Sequence, residues 1–347
     1  MHGRLTIQEI REQPDTLARF VAEEGPAVRE AAGALRRRPP LGVVLAARGT
    51  SDNAALYGHY LFETLLGVPV ALASPSVVTL YHRTPRLRNM LVIGLSQSGR
   101  SPDIVEYVRA ARGAGARTIA ITNDGRSPLA GAAHTTLLLH AGAERSVAAT
   151  KTYTAQLAAL SLLVGEAARD RRFVEAHRRL PELIARALAG EEAVARAARA
   201  ARRMERCLVT SRGYNYATAR EAALKLKETS YIAAEPLSSA DLLHGPIAVV
   251  GRRFPVIVIV PPGRVRPHLV RITRDLAARG ARTIAVTADP EIARLAWTAL
   301  PVPKVADERL SPHVLIVPLQ LFAHHLALAR GFDPDRPRGL RKITRVL

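Results

Sequence analysis

The stretch that decides the fold runs from Met90 to Asp103, MLVIGLSQSGRSPD. Met90 to Leu95 is an uninterrupted apolar run, the pattern of a parallel strand buried on both faces. Ser101-Pro102-Asp103 reads as a helix start, with Ser at the N-cap, Pro at the first helical position and an acid in the first turn. Between them lies a tight loop, Ser96-Gln97-Ser98-Gly99, so that three hydroxyls (Ser96, Ser98, Ser101) and the Gln97 amide gather at a helix N-terminus. Such a terminus presents free N–H groups and a partial positive charge. Hydroxyl donors added to it make a seat for a phosphate monoester; the plainer reading is an ordinary strand-to-helix turn.

Outward from this unit the chain repeats itself. Ala116–Thr122, ARTIAIT, recurs as Ala281–Thr287, ARTIAVT, and each copy precedes an Asp (Asp124, Asp289). Upstream, Val43-Val44-Leu45 leads to Arg48-Gly49, and Cys207-Leu208-Val209 leads to Arg212-Gly213. Apolar runs alternating with helical stretches argue for parallel α/β layers, and a repeat spaced by roughly half the chain argues for two similar αβα domains. Strands are predicted at 42–47, 68–73, 90–95, 117–122 and 135–140, then at 206–211, 255–261, 282–287 and 298–303. The domain reading is a helical leader (1–40), a first domain (41–168), a helical bridge (169–204), a second domain (205–330) and a C-terminal tail (331–347). The copies diverge after their central strands: the second has Pro261-Pro262-Gly263, with no hydroxyls and fewer N–H donors. Only the first copy is therefore expected to hold phosphate. Ligands of open α/β sheets lie beyond the carboxyl ends of the strands, which brings Thr50 and Ser51, after another strand, to the same crevice. No dinucleotide fingerprint G-x-G-x-x-G and no G-x-x-x-x-G-K-[ST] loop occurs, which argues against a nicotinamide or nucleoside-triphosphate enzyme.

Composition narrows the classes further. The 347 residues carry a formal charge of +20, but the arginines are spread along the chain, aromatics are only 4%, and no nucleic-acid-binding signature stands out. No nucleic-acid partner is expected. No run of about 18 uninterrupted apolar residues occurs, and the N-terminus has no apolar signal core, so neither a membrane span nor export is expected and the reading is cytoplasmic. The single cysteine, Cys207, excludes an internal disulfide framework and a multi-cysteine zinc site. Of 50 basic residues only five are lysine (Lys151, Lys225, Lys227, Lys304, Lys342). A primary amine can lose its proton and attack a carbonyl where a guanidinium cannot, which makes each retained lysine worth placing.

Glu221–Glu228, EAALKLKE, puts Glu221, Lys225 and Glu228 at i, i+4 and i+7 on one helix face. An exposed ion-pair ladder is one reading. The other is proton transfer, because the helix starts near a sheet's carboxyl end, Leu243-His244-Gly245-Pro246 follows with an imidazole on a Gly-Pro-shaped loop, and a carboxylate and an imidazole make a workable proton-moving pair. The tail Gly331–Lys342, GFDPDRPRGLRK, has two prolines that suggest an ordered strap carrying the last lysine; a solvated cationic end is the alternative.

Together these segments resemble the sugar isomerase (SIS) domain family, in particular the tandem-SIS isomerase half of glutamine–fructose-6-phosphate amidotransferase and the stand-alone SIS-type glucosamine-6-phosphate deaminases. The matches are Arg48-Gly49-Thr50-Ser51, the Ser96 loop, Val147-Ala148-Ala149-Thr150-Lys151, Leu224–Glu228, His244-Gly245-Pro246 and Asp335-Arg336-Pro337-Arg338 with Lys342. The resemblance implies two flavodoxin-like αβα sandwiches with parallel sheets, a homodimer with a shared site, and no metal or organic cofactor. It implies that Ser96, Gln97, Ser98 and Ser101 hold the sugar phosphate with Thr50 and Ser51 nearby, and that Val147 and Ala149 line the sugar. Glu228 would move the proton between C1 and C2, His244 from the neighbouring subunit would assist ring opening, Lys342 would meet the open-chain carbonyl, and Lys225 would support that cluster. The synthase pattern has an acid and a Thr where Arg100 and Ser101 stand, and a Ser where Ala149 stands; both departures look like the deaminase branch. The chain opens Met1-His2 and keeps Cys207 inside a predicted strand, so no glutaminase chemistry is expected of it. The expected reaction is conversion of glucosamine 6-phosphate to fructose 6-phosphate and ammonia. An aldose–ketose sugar-phosphate isomerase, a deaminase or deglycase acting on another 6-phosphate such as galactosamine 6-phosphate, and a non-catalytic sugar-phosphate sensor remain open.

Overall fold

In a computed structural model of the chain, which describes residues 2–342, the apolar runs become short strands. They are β1 (Val43–Ala46), β2 (Val70–Leu72), β3 (Leu91–Leu95), β4 (Arg117–Thr122) and β5 (Thr135–Leu138), then β6 (Arg206–Ser211), β7 (Ala233–Ser238), β8 (Pro255–Ile259), β9 (Arg282–Thr287) and β10 (Thr298–Pro301). All pair in parallel, in two five-stranded sheets ordered β2-β1-β3-β4-β5 and β10-β9-β8-β6-β7. Counted within its own half and from the opposite edge, the second order is again 2-1-3-4-5. That is the doubly wound flavodoxin-like order, written twice.

The helices used below are α1 (Arg4–Arg11), α2 (Gln13–Arg37), α3 (Thr50–Leu61), α4 (Pro102–Gly113), α5 (Lys151–Ala168), α6 (Leu180–Leu188), α7 (Glu191–Ala200), α8 (Tyr214–Ser230), α9 (Arg266–Ala278) and α10 (Ser311–Ala329). The chain divides into two compact units, each built on one sheet.

The first-sheet unit comprises residues 15–144 and 151–178, with Arg341 and Lys342. Every residue of β3 is buried, as an all-apolar central strand requires. One face packs Val92 and Ala120 against Ile104, Val108 and Leu129. On the other, α3 packs against α5, a helix buried along nearly its whole length. The leader helix α2 belongs here: Glu24 accepts the Leu138 N–H at 3.0 Å and meets His140 Nε2 at 2.6 Å, closing the β5 edge.

The second-sheet unit comprises residues up to Pro14, 145–150 and 179–340. Val256, Val258 and Ala285 pack against Leu269 and Leu276 of α9, while α8 and α10 pack together on other parts of the unit. The segment read as a bridge divides: its second part, α6 and α7, is a layer laid on α10, with Leu180, Leu183, Ile184 and Ala187 buried at helical spacing. Among the described residues only Glu308–Ala329 is long and apolar enough to cross a membrane, and 83% of its most apolar window is buried within the protein. The tail is pinned to the leader: Asp335 accepts Leu5 N–H (3.0 Å), Thr6 N–H (2.7 Å) and the Thr6 hydroxyl (2.6 Å), placing a carboxylate at the N-terminus of α1. The part of the tail reading that covers 343–347 falls outside the described residues.

One strand falls where none is predicted. The β7 sequence, AAEPLS, lacks an apolar run and contains Pro236. It is an edge strand paired only with β6, where a proline is tolerated.

His324 of α10 is buried, and its Nδ1 has no partner among the described residues. Burial first, then the neighbouring His325 charge, pushes its pKa down to about 4. The folded value lies below the unfolded one, so its contribution is complete above about pH 6.5 and is lost as the pH falls toward 4; the loss is worth about 3 kcal/mol. Urea denaturation at pH 7.5 and 4.5 is expected to show that loss, and His324→Gln to reduce it. An unchanged pH dependence in the variant would remove His324 as its source.

Candidate active site

The phosphate-loop candidates lie where the first sheet reverses its winding order. Strands β1 and β3 are neighbours, and the segments that leave their carboxyl ends run to α3 and α4. The structure thus brings Thr50 and Ser51 to the same edge as Ser96, Gln97, Ser98 and Ser101. Gly49 makes the β1 turn at φ 55°, ψ −130°. Gly213 makes the equivalent turn after β6 at φ 62°, ψ −137°. Side-chain-bearing residues do not hold this conformation without strain, so the repeat survives at the level of single dihedrals.

Ser96 is buried at the strand end; its Oγ accepts the Gly99 N–H at 3.2 Å and lies 3.4 Å from Ser101 Oγ. Ser98 Oγ accepts the Arg100 N–H at 3.2 Å. Ser101 occupies the N-cap with Pro102 after it, but its hydroxyl makes no capping bond. The capping reading therefore holds by position only, and the hydroxyl stays available to a ligand. Gly99 has φ 61°, and a Cβ there would stand 2.1 Å from Ser127 Oγ. Arg48, in the β1 loop, meets the buried Asp103 of α4 at 2.7 Å, tying the two loops. Ser51 is buried and accepts a hydrogen bond from Gln156 of α5 at 2.9 Å. Gln97 and Ser98 are half-buried.

The equivalent crevice of the second sheet is filled by the protein itself. Glu308 Oε2 accepts the Arg264 N–H at 2.6 Å, and a Cβ on Gly263 would lie 2.0 Å from that oxygen. Burial pushes the Glu308 pKa up, against the Arg264 hydrogen bond that lowers it. A carboxylate thus stands where a phosphate would have to stand. This residue was not singled out from sequence; its role shows only when the two loops are compared in space.

The helix α8 leaves the carboxyl end of β6, as expected, but Glu228 lies on its last turn. Fourteen residues at 1.5 Å per residue carry it about 21 Å along the axis, toward the amino edge of the second sheet. The proximity argument for Glu228 from the helix start is thereby corrected. The exposed-ladder alternative is not what forms either. Glu221 and Lys225 are buried, with Lys225 Nζ 3.4 Å from Glu221 and 2.6 Å from Glu228. Burial alone would lower the Lys225 pKa, but Glu221 and Glu228 outweigh it and the net shift is upward. Lys225 is a fixed ammonium. Glu228, its side chain 24% exposed, is the one member of the triplet that solvent or a ligand can reach.

Tyr231, at φ 54°, ends α8. The Arg338 guanidinium stacks 4.1 Å above its ring, and the Arg338 N–H donates to its hydroxyl at 2.9 Å, so the tail strap is anchored three residues after Glu228. His244 is exposed at the end of the short helix Ser239–Leu243, before Gly245 at φ 125°. Val147 and Ala149 are half-buried on a segment held by Glu9 of α1, which accepts the N–H groups of Arg145 and Ser146. These residues belong to the second-sheet unit. Lys342 belongs to the first-sheet unit, where its Nζ lies 2.7 Å from Glu144, a buried carboxylate that also accepts the Thr152 N–H near the start of α5. Glu144 had no motif of its own in the sequence, and Glu9 stood only at the start of the matching leader segment. Cys207 is buried and its thiol pushed up to about 12, mainly by burial, which leaves it no nucleophilic role.

The comparisons with known proteins fit this arrangement. The SIS domain family matches residues 42–165 and 202–330, and the chain belongs to that family. It is 36% identical over 349 residues to a glutamine–fructose-6-phosphate aminotransferase (isomerizing) of Thermococcus kodakarensis, covering 98% of this chain and 58% of that protein. The chain thus spans little more than half the length of such relatives. A crystal structure from Silicibacter pomeroyi, described as a candidate phosphosugar isomerase, matches with a TM-score of 0.87 and 36% identity, covering 96% of this chain and 100% of the other. The C-terminal domain of the glucosamine–fructose-6-phosphate aminotransferase of Francisella tularensis matches with a TM-score of 0.87 and 26% identity, covering 96% and 98%.

Removing the ammonium from the triplet leaves Glu221 buried without its cation. Lys225→Met is expected to lower the unfolding free energy by about 3–5 kcal/mol in urea titrations. A loss under about 1 kcal/mol would mean that Glu221 takes up a proton at little cost.

Proposed function

We propose that the chain isomerises and deaminates glucosamine 6-phosphate, giving fructose 6-phosphate and ammonia. The observation that carries this reading is Glu228: an accessible carboxylate fixed at 2.6 Å from a buried ammonium, in a family member that also has an open hydroxyl-rich loop. In this reading the phosphate docks on Ser96, Gln97, Ser98 and Ser101, with Thr50 and Ser51 beside them, and Val147 and Ala149 border the sugar.

His244, from the second subunit of a homodimer, assists opening of the pyranose to the free aldehyde. Glu228 takes the C2 proton, giving the enolamine, and returns it to C1, giving an imine at C2. One water adds to that carbon, the C–N bond breaks, and ketone and ammonia leave; no electrons are exchanged with an outside reagent. Lys342 leaves Glu144 to meet the carbonyl carbon. Lys225 positions Glu228 and remains charged throughout. Arg100, Ser101 and Ala149 depart from the synthase pattern and support the deaminase reading.

The identity to the aminotransferases supports a second reading, in which the chain forms the isomerase half of such a synthase and runs toward glucosamine 6-phosphate. Assays in both directions separate the two, one starting from glucosamine 6-phosphate and one from fructose 6-phosphate with ammonium. Ammonia release from glucosamine 6-phosphate is expected. Release from galactosamine 6-phosphate alone would shift the substrate, and release from neither would sink the activity.

A positioned general base is worth about 10² to 10⁴ in rate. Glu228→Gln is expected to lower kcat by that range with little change in sugar-phosphate binding by calorimetry. Gly99→Ala, by forcing the loop off Ser127, is expected to do the reverse and weaken binding by about tenfold or more. Full turnover in Glu228→Gln would assign the proton transfer to another group.

A further inference from the structure

The second sheet carries another concave site, at its amino edge. Arg206 opens β6, Arg282 opens β9, and Pro255 opens β8 between them. Arg203, Arg252 and Arg253 come from the segments that lead into β6 and β8. These five arginines line one cavity of about 710 Å³, with Glu205 as its one acidic residue. All five are exposed, and none is ion-paired among the described residues.

Some exposed arginines of this chain have a carboxylate partner, as Arg11 has Glu191 and Arg274 has Glu291; what sets these five apart is that they gather around one hollow. Five unpaired cations around one hollow repel one another, and the field they sum to attracts anions. The walls are not purely ionic. The Arg206 guanidinium lies 5.6 Å from the centre of the Phe254 ring, and that of Arg282 lies 5.3 Å from the ring of Trp297, the chain's only tryptophan. Trp297 is 42% exposed, an unusual state for the largest apolar side chain, and Val249 opposite is 57% exposed. Ala201, Met204 and Ile284 give the cavity a buried apolar floor. Arg253 holds a left-handed φ of 62°, its N–H tied to the Gly280 carbonyl at 2.7 Å. Strain of that kind in a side-chain-bearing residue is concentrated at functional sites.

A cationic rim over an apolar, ring-bearing floor complements an amphiphilic anion with a flat body. Guanidinium groups grip phosphate oxygens in pairs, and aromatic faces take a planar base. The volume suits a molecule of that size. A strand of nucleic acid would need a track with successive rings, and this hollow offers two. We propose that this cavity binds a free nucleotide carrying two or more phosphates, on residues separate from those that handle the sugar phosphate.

Trp297 is a built-in reporter. The full chain is titrated in parallel with ADP, UDP, inorganic phosphate and a ten-nucleotide RNA, reading tryptophan fluorescence and heat. Saturable quenching by ADP or UDP is expected, at affinity about tenfold or more above phosphate and weakening as salt rises. Arg203→Gln and Arg252→Gln, with melting transitions like the parent's, are expected to weaken it about tenfold or more. Equal affinity for phosphate would reduce the site to a generic anion patch and overturn the proposal. So would RNA binding tighter than either nucleotide, wild-type affinity in both variants, or no quench and no heat. None of these outcomes depends on turnover, so they stand apart from the fate of the deaminase reading.

Discussion

A parallel sheet that winds 2-1-3-4-5 must send the chain away in opposite directions after its first and third strands. The loops at that point part, and the crevice between them is the one place on the sheet edge where backbone N–H groups face outward without crossing chain above them. The geometry of the candidate phosphate loop follows from that constraint. Gly49 is needed because the β1 turn requires a dihedral pair that side chains resist, and Gly99 because a Cβ would strike Ser127. The Arg48–Asp103 pair then fixes the two loops to each other.

The same constraint applies to the second sheet, and the protein answers it differently. Its crevice is closed by Glu308, whose carboxylate takes the Arg264 N–H. An open anion seat left with no ligand would hold unsatisfied donors, and a carboxylate from the same unit satisfies them permanently. In this copy the buried ionic cluster lies at the far end of α8. There the cost of burying Lys225 is offset by two carboxylates, one buried and one reachable. The two copies thus differ at the same place: one crevice carries the hydroxyl-rich loop and the other carries Glu308.

Strand by strand, the sequence was legible wherever burial on both faces forces an apolar run. β3, β4, β6 and β9 fall where the runs are, because a central parallel strand has no solvent face to break the pattern. β7 was hidden because an edge strand is free to carry Glu235 and Pro236. The repeat itself held the signal: the first copy has a strand between its first helix and its central strand, and the second copy needs one in the same interval. Where the bridge helices pack was hidden for another reason. α6 and α7 have the alternation of any amphipathic helix, and sequence alone does not say that α10 is the surface they cover. At the site, residues carried by local turns were readable, as with the Ser96 loop. Residues that act over long separations, such as Glu9 on Ser146 or Glu144 on Lys342, were not, because nothing near them in the chain marks their partners.

The scarcity of lysine gains a physical meaning from where the five stand. Lys227 and Lys304 are exposed, as chance retention would leave them. Lys151 and Lys225 are buried, and Lys342 is seated on a buried carboxylate. An ammonium is a compact charge on a slender stem and fits between two helix-borne carboxylates, about one turn from each. A guanidinium is a broad plane that would need a wider cavity and would present its donors as a fork. In a chain where arginine fills almost every other cationic position, the interior lysines stand where shape, and not charge alone, limits which cation fits. Lys225 is the clearest of these: with arginine there, Glu221 and Glu228 would have to separate, and the reachable carboxylate would lose the orientation that the helix now gives it.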